Sequence, residues 1–366
     1  MKTIRKHNVY IATNVCCNLR CIYCYEDKSS SKTFDLDNAQ KRLAKILSAN
    51  NCDEVIINLH GGEPFLVFDK IKALVEWTVA QNFPQRFVFF ATTNGTLVHR
   101  EIKDWVLKHR KHIILGLSLD GNREMQNYNR SNSYDLIEHK FFAQTWPSQS
   151  VKMTVSPKTI ETLADGVIHL HELGFEDIRC NLAEMVDWPD SAVPVFEEQL
   201  RLLKEYYLKN PQLKRASILN MNIVGILPDA PLRKWCGIGD MSVNDVDSDI
   251  EYPCHLMFPS VCGKEKSLYS LSFDFGNIDN LVSDKCRECP FLKICPTCYG
   301  ANLIARGNFA ERDMQLCKFN KVRFKVVAEL EYESIMRADV SSLSPQERFV
   351  SLRKLQAIEQ MMHFFD

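Results

Sequence analysis

The sequence of 366 residues lacks an excess of charge of either sign, and it lacks an apolar run long enough to cross a membrane. Its 45 Lys and Arg residues are interspersed with 46 Asp and Glu residues, so no basic face indicates nucleic acid or an anionic membrane as a partner. The N-terminal residues Met1–Lys6 contain no apolar core of a signal peptide. Together these absences predict a cytoplasmic protein that binds neither nucleic acid nor membrane.

Cysteine is nearly absent from the middle of the chain but frequent towards both ends. Of the fourteen cysteines, only Cys52 and Cys180 lie between Cys24 and Cys236, and their apolar neighbours predict small buried side chains. The cytoplasm keeps thiols reduced, so disulfides do not explain the other cysteines. Their grouping indicates metal ligation instead.

Three cysteines near the N-terminus have the spacing of an iron–sulfur site. Cys17 and Cys21 are separated by three residues, and Cys21 and Cys24 by two. A four-iron cluster normally takes four thiolates, so a loop that supplies three leaves one iron open to a ligand that is not protein. The alternative is a zinc site, although a zinc ribbon pairs two short Cys-x-x-Cys elements and this loop has one.

The region from Val9 to about Leu208 alternates β-branched or aromatic runs with amphipathic stretches, which predicts βα units and a parallel sheet. The predicted strands are Val9–Ala12, Glu54–Leu59, Arg86–Ala91, Ile113–Leu119, Val151–Val155 and Asp177–Leu182. The predicted helices are Leu36–Ala49, Phe68–Ala80, Glu101–His109, Tyr134–Trp146, Ile160–Leu173 and Val195–Leu208.

Polar or glycine-containing motifs follow the predicted strands, at the end where parallel α/β barrels build their active sites. Each motif alone could be an ordinary turn, but their recurrence at the same end of successive strands favours a common site. Gly61 and Gly62 would let the backbone approach a bound group, and the carboxylate of Glu63 could hold an ammonium. After the cysteine loop, the motifs are His60-Gly61-Gly62-Glu63-Pro64, Thr92-Thr93-Asn94-Gly95, Ser118-Leu119-Asp120-Gly121, Ser156-Pro157 and Glu184.

The three-cysteine loop with Tyr23, followed by Gly-Gly-Glu-Pro, Thr-Asn-Gly and Ser-Leu-Asp-Gly, resembles the radical S-adenosylmethionine (radical SAM) enzymes. Within them it is most similar to the branch of anaerobic sulfatase-maturating enzymes and peptide maturases. The resemblance implies an α/β fold, a partial (β/α)6 barrel of the TIM type. It also implies that S-adenosylmethionine binds the open iron through its amino and carboxylate groups. Reductive cleavage then gives a 5'-deoxyadenosyl radical that abstracts a hydrogen atom.

The resemblance also implies roles for the residues of these motifs. Glu63 matches the residue that holds the methionine amino group, and Tyr23 the residue beside the adenine. Asn94, Ser118 and Asp120 are expected near the ribose and the carboxylate. The predicted cofactor-binding set is Tyr23, Gly61, Gly62, Glu63, Asn94, Ser118 and Asp120.

A second cysteine-rich region follows a linker predicted at residues 209–233. It contains Cys286-x-x-Cys289, then Cys295 and Cys298 separated by two residues, with further cysteines on each side. Two such pairs indicate a metal site, and from spacing alone zinc is the alternative to iron.

This region resembles the SPASM domain, a C-terminal extension of the same branch that carries auxiliary four-iron clusters. The sequence departs from that pattern because two residues rather than three precede Cys298. The cluster that includes Cys236 also lacks an evident fourth cysteine, so either Cys262 is that ligand or one iron stays open for substrate. The ligands that the resemblance implies are Cys286, Cys289, Cys295 and Cys317 for one cluster, and Cys236, Cys254 and Cys298 for the other.

His255 directly follows Cys254, where the sulfatase-maturating enzymes carry an aspartate that accepts a proton from the substrate. The imidazole of histidine titrates near neutral pH and can accept a proton there, so His255 is the predicted catalytic base. The alternative is a polar residue that is hydrogen-bonded near the cluster. The missing aspartate argues against formylglycine formation specifically.

The predicted organisation is a radical SAM partial barrel over residues 1–210, a C-terminal cysteine-rich auxiliary iron–sulfur cluster domain over 211–320 and a helical tail over 321–366. The tail is predicted to form two helices, and Ser344-Pro345-Gln346-Glu347 is a capping box at the start of the second. No leader-peptide-binding segment is expected before Cys17.

The predicted function is oxidative modification of a peptide or protein side chain, by cross-linking or dehydrogenation. Auxiliary clusters offer a route for the electron that remains after hydrogen abstraction and proton loss. The alternatives are dehydrogenation of a small-molecule alcohol, formylglycine formation in a sulfatase and, in a different class, a zinc-stabilised binding module without catalysis. The predicted cofactors are S-adenosylmethionine and 4Fe–4S clusters, one that binds it and two auxiliary, and the resemblance implies a flavodoxin or ferredoxin as electron donor.

Overall fold

The first half of the chain alternates strands with helices, and all six predicted strands are present. The computed structural model describes residues 6–28, 30–245 and 250–365. Two short strands that the sequence did not predict follow later in the chain. The strands are β1 Lys6–Asn14, β2 Glu54–Gly61, β3 Phe87–Thr93, β4 Ile113–Leu117, β5 Val151–Val155, β6 Ile178–Leu182, β7 Ser242–Asn244 and β8 Glu251–Tyr252.

The helices up to Lys209 follow the predicted ones with two main differences of local origin, and the sequence did not predict the four helices between Pro259 and Arg306. The helix predicted at Tyr134–Trp146 is interrupted, since Ile137 is buried in an extended conformation between a 3-10 turn and the helix that follows. A further helix begins after Asn122, whose side chain accepts a hydrogen bond from the backbone N–H of Met125. The helices are α1 Leu36–Ala49, α2 Phe68–Ala80, α3 Arg100–His109, α4 Arg123–Asn129, α5 His139–Thr145, α6 Leu163–Glu172, α7 Ala192–Lys209, α8 Pro259–Cys262, α9 Lys264–Ser272, α10 Asp284–Arg287, α11 Tyr299–Arg306, α12 Met314–Arg337 and α13 Pro345–Met362.

Strands β1 to β4 and β7 form the parallel part of a sheet whose order is β4-β3-β2-β1-β7-β8, and β8 pairs with β7 in the antiparallel direction. Its register pairs Val9 with Ile57 and Ile57 with Phe89, and all three side chains are fully buried. Because successive strand residues face opposite sides, these apolar residues place the core on one side of the sheet. Strands β5 and β6 form a two-stranded sheet. The predicted α/β class with a parallel sheet is confirmed.

The chain forms two compact units, which we call the first and the second unit. The first unit contains the described part of Met1–Lys152, with Glu172–Phe175 and Gly237–Phe273. The second unit contains Met153–His171, Glu176–Cys236 and the described part of Asp274–Asp366. The division predicted at residues 210 and 320 stays a prediction.

An aromatic cluster in the second unit anchors the start of α12. The ring of Phe319 is fully buried, and its centroid lies 5.0 Å from that of Trp188 and 5.4 Å from that of Phe196. Aromatic pairs at these separations add to the stability that burial itself provides. The cluster therefore fixes the first turn of α12, which contains Cys317.

Residues 210–233, within the segment that the sequence predicts as a linker, are irregular apart from the 3-10 turn Ile223–Ile226. Ala216, Ile218 and Leu219 are all buried, so this segment is part of the core of the second unit.

The two helices predicted for the tail are present as α12 and α13, and Ser344 and Glu347 form the expected capping box. The last residue of the predicted tail, Asp366, lies outside the described residues. Within the described ranges, no helix has the length and apolar character that crossing a membrane would require.

Candidate functional site

The carboxyl ends of β1 to β4 bring the first four sequence motifs to one edge of the sheet in the first unit. The cysteine loop follows β1, Glu63 follows β2, Asn94 follows β3 and Asp120 follows β4. Ser118 lies at the same edge, where its backbone N–H donates to the carbonyl of Thr93 at 2.9 Å. The structure therefore assembles residues that are about 100 positions apart in the chain.

Hydrogen bonds join the end of β1 to the end of β2 directly beneath the cysteine loop. The N–H of Gly62 donates to the carbonyl of Asn14 at 3.1 Å, and the N–H of Glu63 to that of Cys16 at 2.9 Å. The side-chain amide of Asn14 donates to the carbonyls of Cys16 and Glu63, both at 3.0 Å. A Cβ on Gly62 would lie 2.1 Å from the carbonyl oxygen of Cys16. The close approach that this glycine permits is thus between two stretches of the chain itself.

Glu63 is completely buried and links β2 to β3. Its carboxylate accepts hydrogen bonds from the hydroxyl of Thr93 at 2.8 Å, the N–H of Asn94 at 2.8 Å and the N–H of Phe65 at 3.2 Å. Burial raises the pKa of Glu63 to about 7, although the three donors lower it. A carboxylate offers about four acceptor positions, so one remains for a further donor.

Asn94 holds the cysteine loop in place. Its side-chain amide donates to the side chain of Asn18 at 2.9 Å and lies 3.8 Å from the sulfur of Cys17. Its carbonyl oxygen accepts from the N–H of Thr96 at 3.0 Å and from the Thr96 hydroxyl at 2.7 Å. The side chain of Asn94 is therefore oriented at both ends.

Asp120 is fully buried and is hydrogen-bonded to Tyr23 of the same loop. Its Oδ2 accepts from the hydroxyl of Tyr23 at 2.5 Å and from the side chain of Asn129 at 3.1 Å. Oδ2 also forms an ion pair with Nε of Arg130 at 3.0 Å. Burial holds the pKa of Tyr23 well above its usual value of 10, and the charge of Asp120 adds to this while that of Arg130 opposes it. Asp120 thus positions Tyr23 and Arg130 rather than standing free.

Two cations lie beside the cysteine thiols. Nη1 of Arg130 lies 3.9 Å from the sulfur of Cys21, and the ammonium of Lys28 donates to the carbonyl of Leu19 at 2.7 Å. Burial raises the pKa of the Cys21 thiol, while Arg130 and Lys28 lower it. Burial likewise raises the pKa of Cys17, and Lys28 again opposes it. Nearby cations stabilise thiolates, which are the form of cysteine that binds iron.

The three-cysteine loop fits an iron–sulfur cluster in its donors and its surroundings. The loop has no regular secondary structure, and a turn joins Cys24 to Cys21 through an N–H to carbonyl bond of 3.1 Å. The backbone N–H of Leu19 points at the sulfur of Cys17 at 3.4 Å. Cys16 does not belong to this set, because its thiol donates to the carbonyl of Ser30 at 2.8 Å. In the described part of the chain, no three His, Cys, Asp or Glu side chains converge closely enough to hold a single metal ion.

His255 lies in a group of three aromatic rings in the first unit. Its ring centroid is 4.4 Å from that of His60 and 5.6 Å from that of Tyr25, and its Nδ1 is 3.9 Å from the sulfur of Cys254. Burial, and then the charges of His60 and Lys152, hold the pKa of His255 well below 6.5. The imidazole is therefore neutral at pH 7 and retains a nitrogen lone pair.

Six of the seven cysteines predicted to bind auxiliary clusters lie in the second unit and line one cavity of ≈ 390 Å³. Cys295 interacts electrostatically with Cys289 and Cys317, and Cys317 also with Cys286. The seventh, Cys254, belongs to the first unit. The six that line the cavity are Cys236, Cys286, Cys289, Cys295, Cys298 and Cys317.

Cys262, the alternative fourth ligand, is buried in α8 of the first unit. Its thiol lies 3.4 Å from the carbonyl of Phe258 and 3.5 Å from that of Gly263, so backbone acceptors satisfy it. This is the usual arrangement of a buried cysteine that acts as a small apolar residue. Whether Cys262 or an open iron completes the cluster stays a prediction.

Sequence reasoning missed Arg130 and His60, although both lie within the site. Arg130 ends the short helix α4, and no spacing pattern connects it with Cys21, which precedes it by 109 residues. His60 is the last side chain before Gly61 and Gly62, and its Nε2 lies 3.8 Å from Glu26. Its position beside a glycine motif at a strand end was the available signal.

Comparison with known proteins agrees with this geometry. Residues 11–186 match the family model of the radical SAM superfamily. An uncharacterised protein of Methanocaldococcus jannaschii is 26% identical over 219 residues, which cover 57% of this chain and 75% of that protein. The serine-type anaerobic sulfatase-maturating enzyme of Klebsiella aerogenes is 32% identical over 125 residues, which cover 31% of this chain and 29% of that enzyme.

Solved structures extend the likeness to most of the chain. The structure of native anSMEcpe with bound AdoMet and Cp18Cys peptide has a TM-score of 0.64 at 17% identity, covering 89% of this chain and 98% of that one. Streptococcus suis SuiB bound to precursor peptide SuiA has a TM-score of 0.53 at 16% identity, covering 85% and 76%. At these identities the likeness establishes the fold.

Replacing Gly62 with Ala should displace the cysteine loop, because the added Cβ would overlap the carbonyl of Cys16. We expect a destabilisation of about 1–3 kcal/mol or more and a loss of about four irons per chain, measured by thermal unfolding and iron analysis after anaerobic purification. Gly307→Ala is the matched control, since Gly307 has φ +73° but no atom within 4 Å of an added Cβ. The control should lose about 1 kcal/mol and no iron. Unchanged iron content in Gly62→Ala would contradict this account of the loop.

Proposed function

We propose that the protein is a radical SAM enzyme that oxidatively modifies a peptide or protein side chain, on the premise that residues 11–186 match the radical SAM superfamily. The observation that carries the proposal is that hydrogen bonds join the ends of β2, β3 and β4 to the three-cysteine loop that follows β1. The N–H of Glu63 donates to the carbonyl of Cys16, the side chain of Asn94 donates to Asn18, and Asp120 accepts from Tyr23.

In this proposal Cys17, Cys21 and Cys24 hold a 4Fe–4S cluster, and the carboxylate of Glu63 receives the amino group of S-adenosylmethionine at its remaining acceptor position. When bound, the cluster and S-adenosylmethionine supply a 5'-deoxyadenosyl radical that abstracts hydrogen from an unactivated C–H bond. The residues assigned to the rest of this cofactor are Tyr23, Gly61, Gly62, Asn94, Ser118 and Asp120.

The second unit supports auxiliary clusters through its cavity, which six cysteines line. We assign Cys286, Cys289, Cys295 and Cys317 to one 4Fe–4S cluster, and Cys236, Cys254 and Cys298 to the other. These clusters would take the electron that remains on the substrate after a hydrogen atom and a proton have left it. A flavodoxin or ferredoxin is the proposed donor for the first reduction.

The proposed proton acceptor is His255, whose lowered pKa keeps the imidazole neutral at pH 7. Its ring contacts that of Tyr25, one residue beyond Cys24, and so lies close to the cysteine loop.

The proposal of a peptide substrate draws on what the related proteins bind or act on. One matched relative is a sulfatase-maturating enzyme, and two structures with this fold contain a Cp18Cys peptide and the precursor peptide SuiA. The alternative substrate is a small-molecule alcohol that is oxidised by the same radical chemistry. The deuterium-transfer experiment below distinguishes the two substrates.

Replacing Cys17, Cys21 and Cys24 together with Ala should remove about four of about twelve irons and abolish the formation of 5'-deoxyadenosine. The auxiliary clusters should remain, because their ligands are other cysteines. Cys52→Ala is the control and should keep both iron and activity, since the Cys52 thiol donates to Glu54 and Gln85, which lie outside the cysteine loop. If S-adenosylmethionine cleavage survives in the triple variant, the loop is not the site. Zinc without iron in the wild-type protein would favour the non-catalytic binding module.

The affinity for S-adenosylmethionine should rise at least about fivefold between pH 6 and pH 7, because the ionised carboxylate of Glu63 is the stronger acceptor for the amino group and its pKa is about 7. An amino group that binds iron has lost its proton, and this pH range lies below the pKa of an α-amino group, so release of that proton makes the rise steeper. Equilibrium dialysis of the reconstituted protein measures this. Thr93→Val removes one hydrogen-bond donor to the carboxylate and should move the rise to higher pH. An affinity independent of pH over this range would contradict the assignment of Glu63.

A peptide encoded beside this gene, with deuterium at the carbon that is modified, should transfer deuterium to 5'-deoxyadenosine when incubated with reduced protein and S-adenosylmethionine. Mass spectrometry detects the label. The matched control is the same peptide with deuterium at an unmodified carbon, which should leave 5'-deoxyadenosine unlabelled. If every neighbouring peptide fails while a labelled alcohol transfers its deuterium, the peptide substrate is wrong.

A further inference from the structure

Arg312 places a buried positive charge among the cysteines of the second unit. Only 7% of its surface is exposed, and it lines the cavity with Cys286, Cys289, Cys295 and Cys317. Nη1 donates to the carbonyl of Cys295 at 3.0 Å. A buried guanidinium is costly unless its charge and its donors are matched by partners.

One donor of this guanidinium is not matched by the described residues. The Nε–H of Arg312 is buried and has no hydrogen-bond acceptor there, and Arg312 forms no ion pair with a described carboxylate. Leaving a buried charged donor without an acceptor is costly. An acceptor at this position would remove that cost.

The charge of Arg312 acts on two of the thiols that line the cavity. Arg312 interacts with Cys295 through charge and hydrogen bonding. The charges of Lys321 and Arg312 both act on Cys317. Two of the four predicted ligands of one cluster thus feel the charge of the same guanidinium.

We propose that Arg312 donates its Nε–H to a sulfur of the iron–sulfur cluster held by Cys286, Cys289, Cys295 and Cys317, and that it raises the reduction potential of this cluster. The inference rests on the auxiliary cluster in the proposed function. One-electron reduction makes the cluster more negative, so a neighbouring cation and a hydrogen bond to sulfur stabilise the reduced form more than the oxidised form. Arg312 is therefore a positioning and tuning residue rather than a ligand.

Lys321 provides a comparison within the same site. Its charge also acts on Cys317, but its side chain is exposed, and water screens exposed charges strongly. Removing the charge of Lys321 should therefore change the potential much less than removing that of Arg312.

The test is a redox titration of the anaerobically purified full-length protein with dithionite, followed by electron paramagnetic resonance. In Arg312→Gln, the reduction equilibrium constant of one auxiliary cluster should fall at least about tenfold, which is about 59 mV for a one-electron couple. Arg312→Lys keeps the charge, so the reduction equilibrium constant should fall less than in Arg312→Gln. The potential in Lys321→Gln should match that of the wild type. The signal of the cluster bound by Cys17, Cys21 and Cys24 should not move in any variant.

The outcomes separate this inference from the proposed function. If the wild type holds about four irons instead of about twelve, the auxiliary clusters themselves are wrong. If the cluster is present in Arg312→Gln with an unchanged potential, the role of Arg312 is wrong and the proposed function stands. Loss of the cluster in Arg312→Gln, with retention and a lowered potential in Arg312→Lys, supports the inference. Loss in both variants assigns Arg312 to general stability and overturns it.

Discussion

The structure of the first unit depends on one close backbone contact, between the residues that follow β2 and the residues at the end of β1. Gly62 has no side chain, so its backbone reaches the carbonyls of Asn14 and Cys16. That contact fixes where the cysteine loop leaves β1, and it also sets the start of the turn that buries Glu63. From Glu63, hydrogen bonds continue to Thr93 and Asn94. The same contact therefore fixes both the position of the cysteine loop and the position of the buried carboxylate of Glu63.

Each unit contains a buried arginine beside a cysteine that is predicted to bind iron. Arg130 lies beside Cys21 in the first unit, and Arg312 beside Cys295 in the second, and each guanidinium is almost fully buried. Arg130 forms an ion pair with Asp120, whereas Arg312 forms none with a described carboxylate. A cation without a carboxylate partner is available to an anionic cluster, and this difference gives the two arginines different roles.

The sequence predicts the fold and much of the site, because both rest on local patterns. Strand alternation identifies the βα units, and Glu63 is found because it directly follows a strand within a glycine motif. Arg130 and Arg312 are not found, because their partners are distant in sequence and no spacing rule applies to a single arginine. The interrupted helix at Ile137 is missed because burial of one residue outweighs a helical pattern of neighbouring apolar residues. The cluster that would use Cys236, Cys254 and Cys298 stays a prediction, since these ligands belong to different units.

The central claim is that Cys17, Cys21 and Cys24 leave one iron open to S-adenosylmethionine. The most direct test is electron paramagnetic resonance of the reduced protein before and after S-adenosylmethionine is added. The account predicts that one cluster signal changes on addition and that the signals of the auxiliary clusters do not. A spectrum that is identical with and without S-adenosylmethionine, in protein with its full iron content, would contradict it.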